Sequence, residues 1–377
     1  MTDDRCLSKV DDVADLLNRL QAKSVFLVID EIAYDHSGAK REIEPILRNY
    51  EVTSFSNFEP NPKFEDVLSG MKLFQEARPD VVLCIGGGTA IDISKLIVTL
   101  SNSPVDPHTL VTKSSLLTEP RCPLIVVPTT SGTGSEATQF AVVYLDGVKH
   151  SVDHPALMPA YCVLDAALTA NLPAPITAQT GLDAFSQAIE SMWSVRSNDQ
   201  SFSNAQEAAE LAFLHLERAV RSQDHESRLA MCRAAHLAGR AINQTRTTAP
   251  HAISYAFTSD YGVPHGQAVA LTLGPMLVHN AGVTENDVND PRGVAFVQQR
   301  IKRILSVLNC ETPQQGCQVI QDFVQRVGCQ IRLSPFGVHG GDEELLGISR
   351  KVNLERLSNN PRKLTTEQLV ELLRSIT

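Results

Sequence analysis

The sequence predicts an α/β first half built on a largely parallel sheet, followed by an all-helical second half. Two observations predict it. From residue 24 to about residue 165, short β-branched runs alternate with segments of helical period, and after Asp165 apolar spacing of three and four residues takes over. A chain of 377 residues is also too long for one small core. The division is expected near residue 174, giving domains 1–174 and 175–377.

Taken in order, SVFLVID (24–30), DVVLCIGGG (80–88), CPLIVVPTT (122–130), TQFAVVYLD (138–146) and AYCVLD (160–165) read as strands. Residues 39–50 and 62–77, between the first two, read as helices, which makes βαβ units and hence parallel pairing. NLPAPITAQ, with two prolines, reads as the loop between the halves. Beyond it LERAVRS, RLAMCRAAHLAGRAI, GVAFVQQRIKRILSVL and CQVIQDFVQRVG carry helical spacing, and NNPRKLTTEQLVELLRSI starts a last helix at Thr-Thr-Glu.

Composition narrows the function. A hydrophobic fraction of 43% with 20% charged residues is ordinary for a soluble globular protein. The net charge of −10 argues against nucleic acid and anionic membranes as partners, since the long-range field repels polyanions, while a small anionic substrate is allowed where cations are placed locally. No apolar run reaches the ~18 residues of a membrane span, and MTDDRCLSKVDD lacks the apolar core of an export signal. The eight cysteines show no CxxC pair, so buried thiols in a reducing cytoplasm are expected.

Two loops and one long stretch carry chemistry. Gly86, Gly87 and Gly88 follow a strand and precede the helix TAIDISKLIV. Backbone without Cβ there can approach a pyrophosphate, whose charge the free amides of a helix N-terminus attract. A second loop, PTTSGTGSE (128–136), also follows a strand, and such a pair defines the crevice where open α/β sheets of the Rossmann-like kind bind nucleotides; two tight structural turns would read the same way. Asp30 ends the first strand, where a carboxylate accepts from ribose hydroxyls and repels a 2′-phosphate, or merely solvates a turn beside Glu31. Lys149 follows the Asp146–Gly147 turn and is either a group under a cofactor ribose or a surface lysine.

The long stretch runs from Gly181 to His265, from GLDAFSQAIES to APHAISYAFTSDYGVPHG. Asp183 and Gln187 are four apart, as are His251 and Tyr255, so each pair stacks on one helix face. Asp183, His251 and His265 are ligand types for a divalent metal, with Gln187 a weaker carbonyl donor, all taken to stand at helix starts; capping and core polar residues are the alternative.

GGGTAIDISK, PTTSGTGSE, the Lys149 segment leading to LMPAYCVLDAAL, GLDAFSQAIES, His251 with PHGQAVA, and NPRKLTTEQL together resemble the iron-dependent (group III) alcohol dehydrogenases, in order and over nearly the whole chain. The resemblance implies a nucleotide-binding N-terminal domain and an all-α metal-binding C-terminal domain, the architecture shared with dehydroquinate synthase. It also implies an active site in the cleft between them and a cytoplasmic homodimer. Position by position, Gly87, Gly88 and Thr89 fall on that family's pyrophosphate turn, Thr129 and Thr138 on its second cofactor loop, Lys149 near the nicotinamide ribose, and Asp183, His251 and His265 on metal ligands.

The departures are informative. Gln187 stands where the family usually has a fourth ligand, a histidine, and Tyr255 where many members have a histidine near the nicotinamide. The divalent metal is expected to be iron or zinc, but an amide oxygen in place of imidazole weakens a soft site and hardens its preference, which argues against iron and allows zinc, manganese or a three-ligand site closed by water. Before His251 the family's small apolar turn is replaced by NQTRTTAPH, where Arg246, Thr247 and Thr248 bring a guanidinium and two hydroxyls. With WSVRS, this resembles the phosphonoacetaldehyde reductase branch. The expected activity is reduction by NADH, with NADPH not excluded, of a short anionic aldehyde, phosphonoacetaldehyde to 2-hydroxyethylphosphonate. Tyr255 or metal-bound water would be the proton donor and His279 a distant third. A general dehydrogenase of short primary alcohols, a lyase or phosphate-sugar dehydrogenase of the same architecture, and a nucleotide-binding regulator with a decayed metal site are the alternatives.

Overall fold

The structure, a computed structural model, describes residues 5–222, 224–352 and 357–377. They form two compact units, one ending at Leu172 and the other beginning at Pro173.

The first unit runs β1 (Cys6–Leu7), α1 (Asp12–Arg19), β2 (Ser24–Ile29), α2 (Glu31–His36), α3 (Ala39–Leu47), β3 (Glu51–Phe55), α4 (Phe64–Ala77), β4 (Val81–Gly86), α5 (Gly88–Leu100), α6 (Pro107–Thr112), β5 (Leu124–Pro128), β6 (Phe140–Leu145), β7 (Val148–Asp153) and β8 (Tyr161–Val163). Six strands pair in parallel in the order β1-β8-β5-β4-β2-β3. Every residue of β4 and β5 is buried, as central parallel strands covered on both faces must be, which is why VVLCIG and LIVVP read as unbroken apolar runs. Alternation sends Phe26, Val28, Val82 and Cys84 into one core with α4 and α5, and Val25, Leu27, Leu83 and Ile85 into another with α1 and α3. The chain passes from β2 outward to β3 and then crosses back to β4 and outward to β5, so the strand order reverses between β2 and β4. That reversal opens a crevice at the strands' carboxyl ends.

Two sequence expectations about this unit need correction here. Residues 138–146 do not join the parallel sheet: β6 pairs antiparallel with β7 in a separate two-stranded hairpin. Its turn is Asp146–Gly147, both at positive φ (52° and 74°), the conformation of a tight hairpin connection. The helix read over 39–50 stops at Leu47, because residues 51–55 form β3. That strand is an edge with mostly exposed side chains, and so carries no apolar run to betray it.

Among its described residues the second unit is built of helices, with one isolated β-bridge between Val288 and Arg362: α7 (Ala174–Trp193), α8 (Asp199–Arg221), α9 (His225–Thr245), α10 (Ala249–Tyr261), α11 (His265–Ala281), α12 (Val294–Val307), α13 (Pro313–Arg326), α14 (Asp342–Arg350) and α15 (Thr366–Ser375). NLPAPITAQ is only partly a loop: Pro173 precedes α7, and Pro175 sits in its first turn, where a missing N–H costs nothing. Asp183 therefore lies in the middle of a helix, not at its start. Thr365 caps α15 by a reciprocal bond with Gln368. Small residues set the spacing: Ala205, Ala208, Ala209 and Ala212 of α8 meet Ala234, Ala238 and Ala241 of α9 in one core, and a Cβ on Gly181 of α7 would stand 2.1 Å from Leu216 of α8. Among the described residues no helix is long and apolar enough to cross a membrane.

Candidate functional site

In the first unit the glycine turn and the threonine-rich loop lie against each other. β4 ends at Gly86 and α5 begins at Gly88. A Cβ on Gly88 would stand 2.7 Å from Thr133 Cγ2, one on Gly87 3.4 Å from Thr130, and one on Gly86 3.3 Å from the Cβ of Asp30. Asp30, Gly87, Gly88 and Thr89 are thus brought together at the crevice between β2 and β4. The Asp30 carboxylate accepts the Ala33 amide at 3.0 Å, capping α2. Thr129 bonds the Gly86 carbonyl through its own amide at 3.0 Å, and its buried hydroxyl has no hydrogen-bond partner among the described residues. An orphaned hydroxyl beside a glycine cradle and a helix N-terminus fits the polar face of a dinucleotide.

Thr138 is engaged inward. Lys95, on α5, is fully buried and donates to the Thr138 hydroxyl (3.0 Å) and carbonyl (2.9 Å), the Ser135 hydroxyl (2.9 Å) and the Phe140 carbonyl (2.9 Å). Burial lowers the ammonium to about 8 against the pull of Asp92. Asp92 in turn accepts from the Ser135 hydroxyl at 2.6 Å and the Val142 amide at 2.9 Å. Burial raises its carboxyl above the usual range, opposed first by Lys95 and lastly by Lys149 on β7. Sequence reasoning missed this bracket, which fastens the second loop and the hairpin to α5. Its acceptors come from residues forty or more positions away.

The second unit gathers the proposed ligands. One donor atom each from Asp183, His251 and His265 lies within 4.8 Å of the others. His251 Nε2 is 3.3 Å and His265 Nε2 3.9 Å from Asp183 Oδ1. A carboxylate and two imidazole nitrogens converging so closely fit a divalent first-row ion. Burial works to raise the Asp183 carboxyl, but the His251 bond, the two histidine charges and a bond from Gln187 outweigh it and hold it low. Gln187, also buried, thus acts on Asp183. Gln187→His should place a fourth ligand, a third nitrogen, at the site and tighten Zn²⁺ binding by roughly tenfold or more; an unchanged affinity by chelator competition would show that the side chain serves Asp183 alone.

His251 is the third residue of α10, and burial, which would lower its imidazole, is overcome by Glu190 and Asp183, pushing it up to about 9. Glu190 was not foreseen. Its fully buried carboxylate lies 2.7 Å from His251 Nδ1 and also takes the Thr248 hydroxyl at 3.0 Å. The signal was present, since Glu190 follows Asp183 by seven residues on α7 and so shares its face. Tyr255 lies one turn beyond His251, its ring stacked on that of His265 at 6.0 Å and 9°. His279 stands fourteen residues along α11 from His265, about 20 Å at the helical rise. Its Nε2 donates to the Lys363 carbonyl at 3.1 Å, and burial and Arg362 lower it to about 4, so it has no place at the metal site.

Arg246 ends α9 at φ 58° and ψ 175°, with its guanidinium on the Asn243 carbonyl at 2.9 Å. The turn is clamped: Asn359 donates to the Thr245 and Thr247 carbonyls at 2.8 and 2.9 Å, and Trp193 Nε1 donates to the Thr248 hydroxyl at 2.9 Å. The Thr248 hydroxyl is therefore occupied within the protein and does not serve a substrate.

Comparison with known proteins bears on both units. The profile of the family described as iron-containing alcohol dehydrogenase matches residues 7–166, and that of the Fe-containing alcohol dehydrogenase family, C-terminal, matches residues 177–377. Phosphonoacetaldehyde reductase of Streptomyces viridochromogenes is 34% identical over 307 residues, covering 78% of this chain and 76% of that one. A 1-propanol dehydrogenase of Citrobacter freundii is 32% identical, covering 71% of this chain and 70% of that one. Among solved structures, sulfoacetaldehyde reductase from Bifidobacterium kashiwanohense in complex with NAD+ superposes with a TM-score of 0.88 at 26% identity, covering 99% of this chain and 96% of that one. With both profiles matched across its two halves, the chain belongs to the iron-containing alcohol dehydrogenase family and is an enzyme acting on the alcohol–aldehyde couple.

Proposed function

We propose that the enzyme uses NADH to reduce a short aldehyde with an anionic tail, and that the reaction is phosphonoacetaldehyde to 2-hydroxyethylphosphonate. One observation carries the anionic tail. Arg246 holds a backbone conformation that glycine alone adopts freely, five residues before His251. Such strain costs ~1–3 kcal/mol, and a strained residue of this kind points to a role for its side chain. A guanidinium pairs with phosphonate oxygens through two parallel hydrogen bonds. In a chain of net charge −10 it also offsets the field that repels an anion. Two of the proteins compared above are named for aldehydes ending in a phosphonate and a sulfonate.

In this reading Asp183, His251 and His265 hold the metal, and Gly87, Gly88, Thr89 and Thr129 hold the dinucleotide, with Asp30 toward its adenosine ribose. When bound, the ion supplies a Lewis acid and the nicotinamide a hydride. Tyr255, stacked on His265, supplies the proton for the product oxygen. Tyr255→Phe keeps the ring stack, so it should lower kcat by roughly 10²-fold with metal content unchanged; a loss of metal would mark the tyrosine as a structural brace.

Asp30→Gly should raise kcat/KM for NADPH relative to NADH by about tenfold, since a carboxylate repels the 2′-phosphate. Glycine substitutes for a capping aspartate at a cost of only a few tenths of a kcal/mol, so stability should hold. A wild-type preference for NADPH refutes this role of Asp30.

The propanol-dehydrogenase relative favours a second reading, simple primary alcohols. Rates on phosphonoacetaldehyde, sulfoacetaldehyde and propanal with metal-analysed protein decide between them. We expect kcat/KM at least a hundredfold higher for the anionic aldehydes. Equal or faster turnover of propanal overturns the proposal.

A further inference from the structure

We infer that Glu190 is a positioning residue that presents His251 to the metal with one carboxylate oxygen and anchors the Arg246 turn with the other. Oε1 accepts from His251 Nδ1 at 2.7 Å and from the His251 backbone amide at 3.2 Å. Oε2 accepts from the Thr248 backbone amide and, at 3.0 Å, from the Thr248 hydroxyl. A carboxylate facing four donors serves only as an acceptor. The ring nitrogen turned toward it therefore carries hydrogen, and Nε2, on the side of Asp183 and His265, is left with the lone pair a metal needs. The two backbone amides belong to the start of α10, so the same group fixes the ring's tautomer and the helix end that carries it. Asp183 and Glu190, two turns apart on α7, thus face the two nitrogens of one imidazole, Glu190 accepting the Nδ1 hydrogen and Asp183 standing beside Nε2 as a second ligand.

Glu190→Gln preserves size and removes one acceptor. With the amide NH₂ toward His251 the ring loses its fixed tautomer, and with the NH₂ toward the Thr248 turn the amide faces a backbone N–H and loosens the helix start that carries the ring; in both poses the imidazole loses the carboxylate's charge. The Zn²⁺ dissociation constant, by chelator competition on the full chain, is expected to rise 10- to 100-fold. The visible spectrum of Co²⁺-loaded protein should change with it, while circular dichroism shows a folded chain. A purely capping role would lower the unfolding temperature and leave Zn²⁺ affinity within twofold of wild type, which overturns the inference. Should Glu190→Gln fail to fold, Glu190→Asp keeps all four donors facing a carboxylate and draws it back from the ring. Affinity weakened fivefold or more supports the inference, and affinity within twofold overturns it.

The inference rests on Asp183, His251 and His265 being the metal ligands, so His265→Ala is titrated alongside. Unchanged affinity there removes the metal site itself; weakened affinity there with unchanged affinity in Glu190→Gln removes only the role of Glu190.

Discussion

Gly266→Ala is expected to release the metal and abolish most activity while leaving the first unit intact. A Cβ at Gly266 would stand 1.9 Å from the Gln179 carbonyl oxygen, 2.9 Å from its carbon and 3.0 Å from the Asp183 amide. All three are backbone atoms of α7, which cannot rotate away as a side chain would. α11 must retreat by more than an ångström, and His265, its first residue, retreats with it from Asp183. Overpacking of this kind costs ~1–3 kcal/mol and sometimes more, and a misplacement of about 1 Å can cost 10²-fold in rate. Metal content, unfolding temperature and kcat/KM should therefore fall together. Gly347→Ala, on α14 with open space around it, is the control that should leave all three at wild-type level or better. Full metal occupancy in Gly266→Ala would show that the ligands do not depend on the contact between α7 and α11.

Arg246 should separate stability from specificity. Arg246→Ala is expected to lose ~2–5 kcal/mol of transition-state binding for phosphonoacetaldehyde, the scale for truncating one side of a desolvated charge pair, and to change little for propanal. Arg246→Gly should lose the same specificity and yet unfold at an equal or higher temperature, because glycine relieves the backbone at φ 58° and ψ 175°. A residue serving only as a helix end would behave the other way, with stability lost and both substrates affected alike. Rates on the two aldehydes and thermal unfolding of the three proteins test this.

What the sequence revealed and what it hid follow from burial. β2, β4 and β5 were legible because strands covered on both faces must be apolar throughout, whereas β3, mostly exposed, and β7, largely half-buried with polar residues along it, left no apolar run. Asp183, His251 and His265 were singled out by their ligand types, the helical spacing lying within the pairs Asp183–Gln187 and His251–Tyr255, and the fold brings the three together. Glu190 was passed over although its spacing from Asp183 put it on the same face, because an acid on a helix ordinarily faces water. Only the burial of α7 on every side, from Gly181 to Trp193, turns it inward. Lys95 was hidden for a related reason: its acceptors lie on the second loop and the hairpin, and their assembly around one ammonium is a product of the crossover that returns the chain to α5. The strain at Arg246 could not be read from residue type, since nothing in NQTRTTAPH announces a left-handed φ.

The contact between Gly88 and Thr133 constrains the order in which the two cofactor loops can change. A methyl group at position 88 would meet the Thr133 side chain at 2.7 Å, so alanine there fits only if that side chain shifts or is trimmed. Neighbours that share one space in this way have effects that do not add. Trimming the threonine first and enlarging the glycine second avoids the clash, whereas the reverse order forces the threonine or the turn to move.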